Sequence, residues 1–209
     1  MKKPLFIAIE GGEGSGKSTL VTYLKAELDK SVLITREPGG SEYAEVIRDA
    51  ALKHQLAKDA IAETMICLMF AARHDHVAKT VVPTLKKGTH VITDRFDASS
   101  YAYQIYAQEG KHIEKLFWEL RSSVARLPDL YIYVDVEVEE GLRRARKRNT
   151  NTTDGNHFDD RDVSFHTRLR KGYKTFLKKV PHIVIDANRP LDEVKKSFIE
   201  TVKKVIHKH

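Results

Sequence analysis

Five short segments of the chain are continuously apolar and do not alternate between apolar and polar positions. Such runs are typical of strands buried on both faces of a parallel sheet. They are Leu5–Ile9, Val32–Ile34, His90–Thr93, Leu130–Val134 and His182–Ile185. The segments between them have apolar residues every three or four positions, as amphipathic helices do. The pattern therefore predicts an α/β doubly wound fold, a five-stranded parallel sheet with helices on both faces.

Length and composition narrow the class of protein. The 209 residues favour one domain spanning 1–209, since domains commonly hold roughly 100–200 residues. No run of about 18 apolar residues occurs, so no membrane-spanning helix and no membrane partner are expected. Cys67 is the only cysteine. An internal disulfide is therefore impossible, and a cytoplasmic location is expected.

The basic charge is concentrated in one place. The formal net charge is +7, and the six residues from Arg143 to Arg148 carry +5 of it. A basic surplus can indicate nucleic-acid binding, but the rest of the chain carries only +2, and no aromatic residues interleave the run. This favours a local anion site, with no nucleic-acid partner.

A phosphate-binding loop follows the first predicted strand. GGEGSGKS, Gly11–Ser18, fits G-x-x-x-x-G-K-[ST] between a predicted strand and a predicted helix. In such loops backbone N–H groups and the helix N-terminus bind phosphates. Lys17 is expected to reach the β- and γ-phosphates, and Ser18 to bind Mg²⁺. The predicted ATP-binding residues here are Gly11, Gly12, Glu13, Gly14, Ser15, Gly16, Lys17, Ser18 and Thr19.

The third predicted strand ends in an acid followed by a base. Asp94 could bind a metal-bound water, and Arg95 could bind a second anion. This pair suits phosphoryl transfer between two phosphate-bearing molecules. The D-x-x-G and N-K-x-D segments of GTPases are absent, and intact Lys17, Asp94 and Arg95 argue against a non-catalytic nucleotide sensor.

Several motifs together resemble those of the thymidylate kinases, which use ATP to convert dTMP to dTDP. The motifs, beyond the phosphate loop, are TREPGG (Thr35–Gly40), FAAR (Phe70–Arg73), DRFDASSYAYQ (Asp94–Gln104), PDLYIYVDV (Pro128–Val136), GLRRAR (Gly141–Arg146) and IDANRPLDEV (Ile185–Val194). The resemblance implies the P-loop NTPase fold, a homodimer, and phosphorylation of dTMP in dTTP biosynthesis with Mg²⁺. A kinase for another nucleoside monophosphate is the alternative.

The resemblance also implies roles for residues of the acceptor site. Arg95 would grip the acceptor phosphate with Arg48. Arg73 would point at thymine O4, and Tyr103 would lie under the sugar and exclude a ribose 2′-OH. The complete expected set is Glu10, Arg36, Glu37, Arg48, Phe70, Arg73, Arg95, Ser100, Tyr103 and Gln104. The family usually has Phe where this chain has Met69, so the neighbouring Phe70 is expected to stack on the base.

In the same family a lid closes over ATP, here approximately residues 141–165. Glu13 makes the phosphate loop non-basic, so the lid is expected to supply the catalytic arginine from Arg146 or Arg148, with Arg143 near the adenine. His157 stands where an arginine is usual. Either Arg161 or the upstream arginines replace it, or activity depends on the charge of His157 and falls as pH rises through about 6–7.

Overall fold

The central sheet has five parallel strands in the order β2-β3-β1-β4-β5. The computed structural model describes residues 3–28, 31–149 and 161–208, with the side chains of residues 148 and 149 also outside the description. The strands are β1 (Phe6–Gly11), β2 (Val32–Arg36), β3 (His90–Asp94), β4 (Leu130–Asp135) and β5 (His182–Asp186). All five predicted strands are present, which confirms the predicted fold class.

The prediction that every strand is buried on both faces is wrong for the two edge strands. All six residues of β1 are buried, whereas β2 is only partly buried, and Val184 of β5 is 51% exposed. An edge strand has one neighbour in the sheet, so its open side and part of each face remain accessible to water. A short apolar run alone does not distinguish an edge strand from a central one.

Helices cover both faces of the sheet, and two apolar clusters fill the space between. The helices are α1 (Lys17–Glu27), α2 (Glu42–Leu52), α3 (Ala62–His76), α4 (Val82–Lys86), α5 (Asp97–Ser100), α6 (Glu114–Ser123), α7 (Val138–Asn149), α8 (Val163–Leu177) and α9 (Leu191–Lys208). One cluster joins the sheet to α1 and α9, and the other joins it to α3, α6 and α8. Adjacent residues of one strand face opposite clusters, as Phe6 and Ile7 do.

A π-helical segment, Tyr101–Ala107, continues α5 and packs closely against α8. Gly172 of α8 makes this approach possible, because a Cβ atom there would lie 2.8 Å from both Ala102 Cα and Tyr106 Cβ. The contact holds α8, whose first turn overlaps the end of the predicted lid, against the segment that carries predicted base-binding residues. In the described ranges, no helix is both long enough and apolar enough to cross a membrane.

Candidate active site

The phosphate loop joins β1 to α1 and contacts the start of α7. Gly14 and Gly16 have positive φ angles of 67° and 81°, a conformation that favours glycine. Gly16 is the N-cap of α1 and has no side chain to occupy the first N–H groups of the helix, which leaves them available to an anion. A Cβ on Gly14 would lie 1.8 Å from Gly141 O, so α7 packs directly on the loop. No motif in the sequence indicates this contact.

Lys17, which is buried, and Asp94, which is partly buried, form an ion pair beside the loop. Burial lowers the pKa of Lys17, as does the positive charge of Arg95. Burial alone would raise the pKa of Asp94, but the charges of Lys17 and Arg95 outweigh it and lower that pKa. Asp94 is therefore a carboxylate at neutral pH.

The site offers suitable donors for Mg²⁺. Ser18 is exposed in the first turn of α1, and its hydroxyl and the Asp94 carboxylate are the hard oxygen donors that Mg²⁺ prefers. Among the described residues no group of three or more His, Cys, Asp or Glu side chains could hold a metal. Few protein ligands are normal for Mg²⁺, which is usually held by one or two protein oxygens together with phosphates and water.

Arg95 is fixed between the phosphate loop and α8. Its Nη1 donates to Gly11 O at 3.0 Å, Ser99 Oγ at 3.2 Å and Tyr173 OH at 2.8 Å. Tyr173 OH also lies 2.8 Å from Ser99 Oγ, and its side chain is fully buried. The sequence motifs did not identify Tyr173, because it lies 78 residues from Arg95 along the chain.

Glu10 organises the turn that carries Arg95. Its carboxylate accepts from Phe96 N at 2.8 Å and from Ser99 Oγ at 2.7 Å. Arg95 has a φ of 69°, and these hydrogen bonds hold the residues after it in place. Burial raises the pKa of Glu10 to about 7, although the hydrogen bond from Ser99 and the charge of Arg95 oppose the shift.

A cavity opens beside Arg95. Six of the predicted acceptor-site residues line it: Glu37, Arg73, Arg95, Ser100, Tyr103 and Gln104. Its other lining residues are Pro38, Leu52, Met69, Phe96 and Ser99. Mostly apolar walls with a few convergent polar groups are typical of a site for a small organic ligand. The Arg95 guanidinium lies 5.5 Å from the Tyr103 ring centroid.

Arg73, one of the lining residues, is held by hydrogen bonds and aromatic contacts. Its Nε donates to Glu37 Oε2 at 2.7 Å and its Nη2 to Ser100 Oγ at 3.1 Å. The guanidinium lies 4.5 Å from the Phe70 ring centroid and 4.8 Å from that of Phe96. Its buried Nη1 has no hydrogen-bond partner in the part of the chain that the structure describes.

Gln104 supplies the complementary acceptor. The side chain is 2% exposed, and its Nε2 donates to Gln108 Oε1 at 3.1 Å. Its Oε1 is buried and finds no partner within the described ranges. Two residues that line the cavity therefore carry buried polar atoms without a partner among the described residues, an N–H donor on Arg73 and an acceptor on Gln104.

Phe70 does not line the cavity, and the expectation that it stacks on the base does not fit its position. The ring is 1% exposed and packs edge-on against Phe117 at 5.6 Å between centroids. Met69 lines the cavity in its place. Residues four apart share a helix face more closely than residues three apart, so Met69 accompanies Arg73 toward the cavity.

The other two predicted arginines lie at the rim of the site. Arg36 is 55% exposed and pairs with Glu45 Oε2 at 2.7 Å, so it does not line the cavity. Arg48 donates from Nη1 to Pro38 O at 2.8 Å. Burial, followed by the charge of Arg36, lowers the pKa of Arg48, and Arg95 adds to this effect. Arg36, Arg48 and Arg95 thus produce a positive field that favours an anion.

Two of the described lid arginines are paired away from the phosphate loop, and a third is exposed. Arg143 donates two hydrogen bonds of 2.7 Å to Glu140, and Arg146 is exposed. The Arg148 side chain and His157 lie outside the described residues. Arg161 donates to Lys58 O at 3.0 Å.

The phosphate loop, the Lys17–Asp94 pair and an arginine leading into a ligand cavity define a P-loop phosphotransferase with a small-molecule acceptor. Comparison with known proteins identifies the family. The thymidylate kinase family model matches residues 9–198. Thymidylate kinase of Clostridium novyi is 40% identical, with 93% of this chain and 96% of the relative covered. That of Shouchella clausii is 39% identical, with 99% and 98% covered.

A solved structure agrees with these sequence matches. The crystal structure of thymidylate kinase from Ehrlichia chaffeensis superposes with a TM-score of 0.73 at 27% identity, covering 97% of this chain and 99% of that one. The chain belongs to the thymidylate kinase family, which confirms the resemblance seen in the motifs. The assignments of individual site residues stay predictions.

Proposed function

We propose that this protein transfers the γ-phosphoryl group of ATP to dTMP and so supplies dTDP for dTTP biosynthesis. One observation carries the choice of acceptor: two residues lining one cavity carry a donor, Arg73 Nη1, and an acceptor, Gln104 Oε1, that have no partner within the described residues. Thymine presents an O4 acceptor next to an N3–H donor, which pairs with both. Cytosine presents a donor at N4 and an acceptor at N3, which would leave both protein groups unpaired at a cost.

The rest of the cavity suits a nucleoside monophosphate. Leu52, Met69 and Phe96 provide an apolar wall for a base. Arg95 and Arg48 provide the positive charge for its phosphate. Tyr103 lies over Arg95, and we assign it the role of excluding a ribose 2′-OH.

Positioning and electrostatics account for the rate in this proposal. A phosphate oxygen of dTMP attacks the γ-phosphorus of ATP, a P–O bond forms, and the bond to the β–γ bridging oxygen breaks as ADP leaves. The dTMP phosphate is already anionic, so no general base is needed. Lys17 neutralises charge on the β- and γ-phosphates, and Arg95 holds the acceptor in line.

Magnesium is the expected metal. Ser18 and Asp94 are the residues that would hold it, Ser18 directly and Asp94 through water. When bound, it neutralises charge on the phosphates of ATP. Lys17 pairs with Asp94, so Asp94 also keeps the lysine side chain beside the loop.

The whole chain, 1–209, acts as one kinase domain in this proposal, with a lid of approximately residues 141–165. Arg143 approaches the adenine, and Arg146 or Arg148 approaches the transferring phosphoryl group. For this, Arg143 would exchange its pairing with Glu140. Closure also excludes water, which would otherwise compete with dTMP as acceptor.

We also propose a cytoplasmic homodimer, with no part for nucleic acid or a membrane. Helices α2 and α3 pack on each other and leave exposed uncharged residues: Tyr43, Val46, Ala50, Thr64, Cys67 and Ala71. Exposed uncharged residues on two neighbouring helices are a candidate interaction surface. Ala71→Glu is expected to give monomers in sedimentation equilibrium, and Val184→Glu, on an exposed edge strand, is the matched control. Dimeric Ala71→Glu would contradict the choice of face.

Initial rates with ATP and dTMP, dUMP, dGMP or AMP test the proposed activity. We expect the highest kcat/KM with dTMP and formation of ADP in equal amounts to dTDP. Lys17→Ala is the control, with a loss of kcat expected because the phosphates lose their countercharge. A higher kcat/KM with AMP or dGMP would favour the alternative, a kinase for another nucleoside monophosphate.

A further inference from the structure

The side-chain amide of Gln104 is held in one of its two orientations. Turning an amide over by 180° barely changes its shape but exchanges a donor for an acceptor. Its orientation is therefore decided by its hydrogen-bond partners. Gln104 Nε2 donates to Gln108 Oε1 at 3.1 Å, which leaves Oε1 as the atom without a partner among the described residues.

A main-chain carbonyl sets the direction of this pair of amides. Gln108 Nε2 donates to Ala60 O at 3.5 Å, and a carbonyl oxygen can only accept. Gln108 therefore directs its NH₂ group to Ala60 and its oxygen to Gln104. If both amides were reversed, Gln108 Oε1 would face Ala60 O, and the hydrogen bond would be replaced by two opposed acceptors.

Backbone hydrogen bonds fix the positions of Gln104 and Gln108 relative to each other. Gln108 N donates to Tyr103 O at 2.8 Å, and Gly110 N donates to Gln104 O at 3.0 Å. These bonds close the end of the π-helical segment Tyr101–Ala107. Gln108 is only partly buried and does not line the cavity, so it acts on a ligand only through Gln104.

We propose that Gln108 is a specificity-determining positioning residue, which fixes the Gln104 amide so that an acceptor faces the base. It thereby selects a pyrimidine with a protonated N3, as in thymine and uracil, over an aminopyrimidine such as cytosine. The inference rests on the proposed function, because it assumes that the cavity holds the base of a monophosphate. It concerns the discrimination between bases and not the transfer step.

Two substitutions of Gln108 separate the two amide orientations. The ammonium group of Gln108→Lys is a donor only, so Gln104 is expected to turn its Oε1 outward and its Nε2 to the cavity. The carboxylate of Gln108→Glu is an acceptor only: it loses the bond to Ala60 O but still accepts from Gln104 Nε2, so Gln104 keeps its present orientation. The measurements are the dissociation constants of dTMP and dUMP by calorimetric titration and that of dCMP by competition with dTMP, with thermal unfolding to verify folding.

For Gln108→Lys we expect dTMP and dUMP to bind about tenfold more weakly, since an N–H would face the N3–H of the ring. Binding of dCMP should not weaken, so the dCMP:dTMP ratio of dissociation constants falls about tenfold. Gln108→Glu should keep the wild-type ratio. The dUMP:dTMP ratio is the internal control and stays constant, because both bases present the same edge.

A folded Gln108→Lys protein that binds all three nucleotides equally less well, or unchanged, would overturn the proposal. So would loss of discrimination in Gln108→Glu to the same extent as in Gln108→Lys. Failure of the proposed function would appear separately, as wild-type protein that does not phosphorylate dTMP.

Discussion

The buried pair of Arg73 and Glu37 should contribute to both stability and recognition, and two substitutions separate the contributions. Both side chains are 2% exposed and their closest atoms are 2.7 Å apart. In Arg73→Met the Glu37 carboxylate loses the guanidinium and keeps its contact with His76 Nδ1. Removing one partner of a buried ion pair costs about 3–5 kcal/mol, which corresponds to a Tm decrease of about 10 °C in a domain of this size.

Adding Glu37→Gln to Arg73→Met should recover most of the lost stability, because it removes the uncompensated charge. Affinity for dTMP should stay low in both proteins, since both lack the Arg73 donors. Urea unfolding followed by circular dichroism gives the free energies, and calorimetric titration gives the affinities. Lys203→Met breaks the exposed pair with Glu27 and is the control, with no measurable change expected. A double variant no more stable than Arg73→Met would refute the reasoning.

Three further predictions concern single side chains. Burial raises the pKa of Glu10 from an ordinary 4.5 to about 7, so the folded state binds the proton more tightly than the unfolded state does. The free energy of unfolding of the wild type should therefore fall by about 3 kcal/mol relative to that of Glu10→Gln as pH rises from 4.5 to 7. Parallel urea-unfolding curves against pH would contradict this. Tyr173→Phe removes a hydrogen bond to Arg95 and should lower kcat/KM for dTMP about tenfold, with KM for ATP unchanged; an equal effect on both nucleotides would exclude a positioning role. Gly172→Ala forces a methyl group against Ala102 and should cost about 1–3 kcal/mol in urea unfolding, whereas wild-type stability would show that α8 can move away.

The sequence was sufficient to predict the order and type of the elements, because each strand is marked by a local apolar run. It was not sufficient to identify the edge strands. The run His182–Ile185 is as apolar as a central strand, yet β5 is largely exposed, since its position depends on strand order and not on its own residues.

The active site likewise has residues that local motifs predict and residues that depend on the tertiary fold. Lys17, Asp94 and Arg95 lie within local motifs, and the structure brings them together as expected. Tyr173 and Gln108 were not among the predicted site residues. Tertiary packing brings Tyr173 to Arg95, and the π-helical segment brings Gln108 to Gln104. The choice between Phe70 and Met69 required the direction of each side chain on α3, which motif spacing did not resolve.

The most direct test of the acceptor site is a crystal structure of the protein with dTMP bound. Thymine O4 should lie within hydrogen-bonding distance of Arg73 Nη1, N3 within the same distance of Gln104 Oε1, and the phosphate beside Arg95. A dTMP molecule bound outside this cavity, or bound with its phosphate at Arg73, would contradict the account.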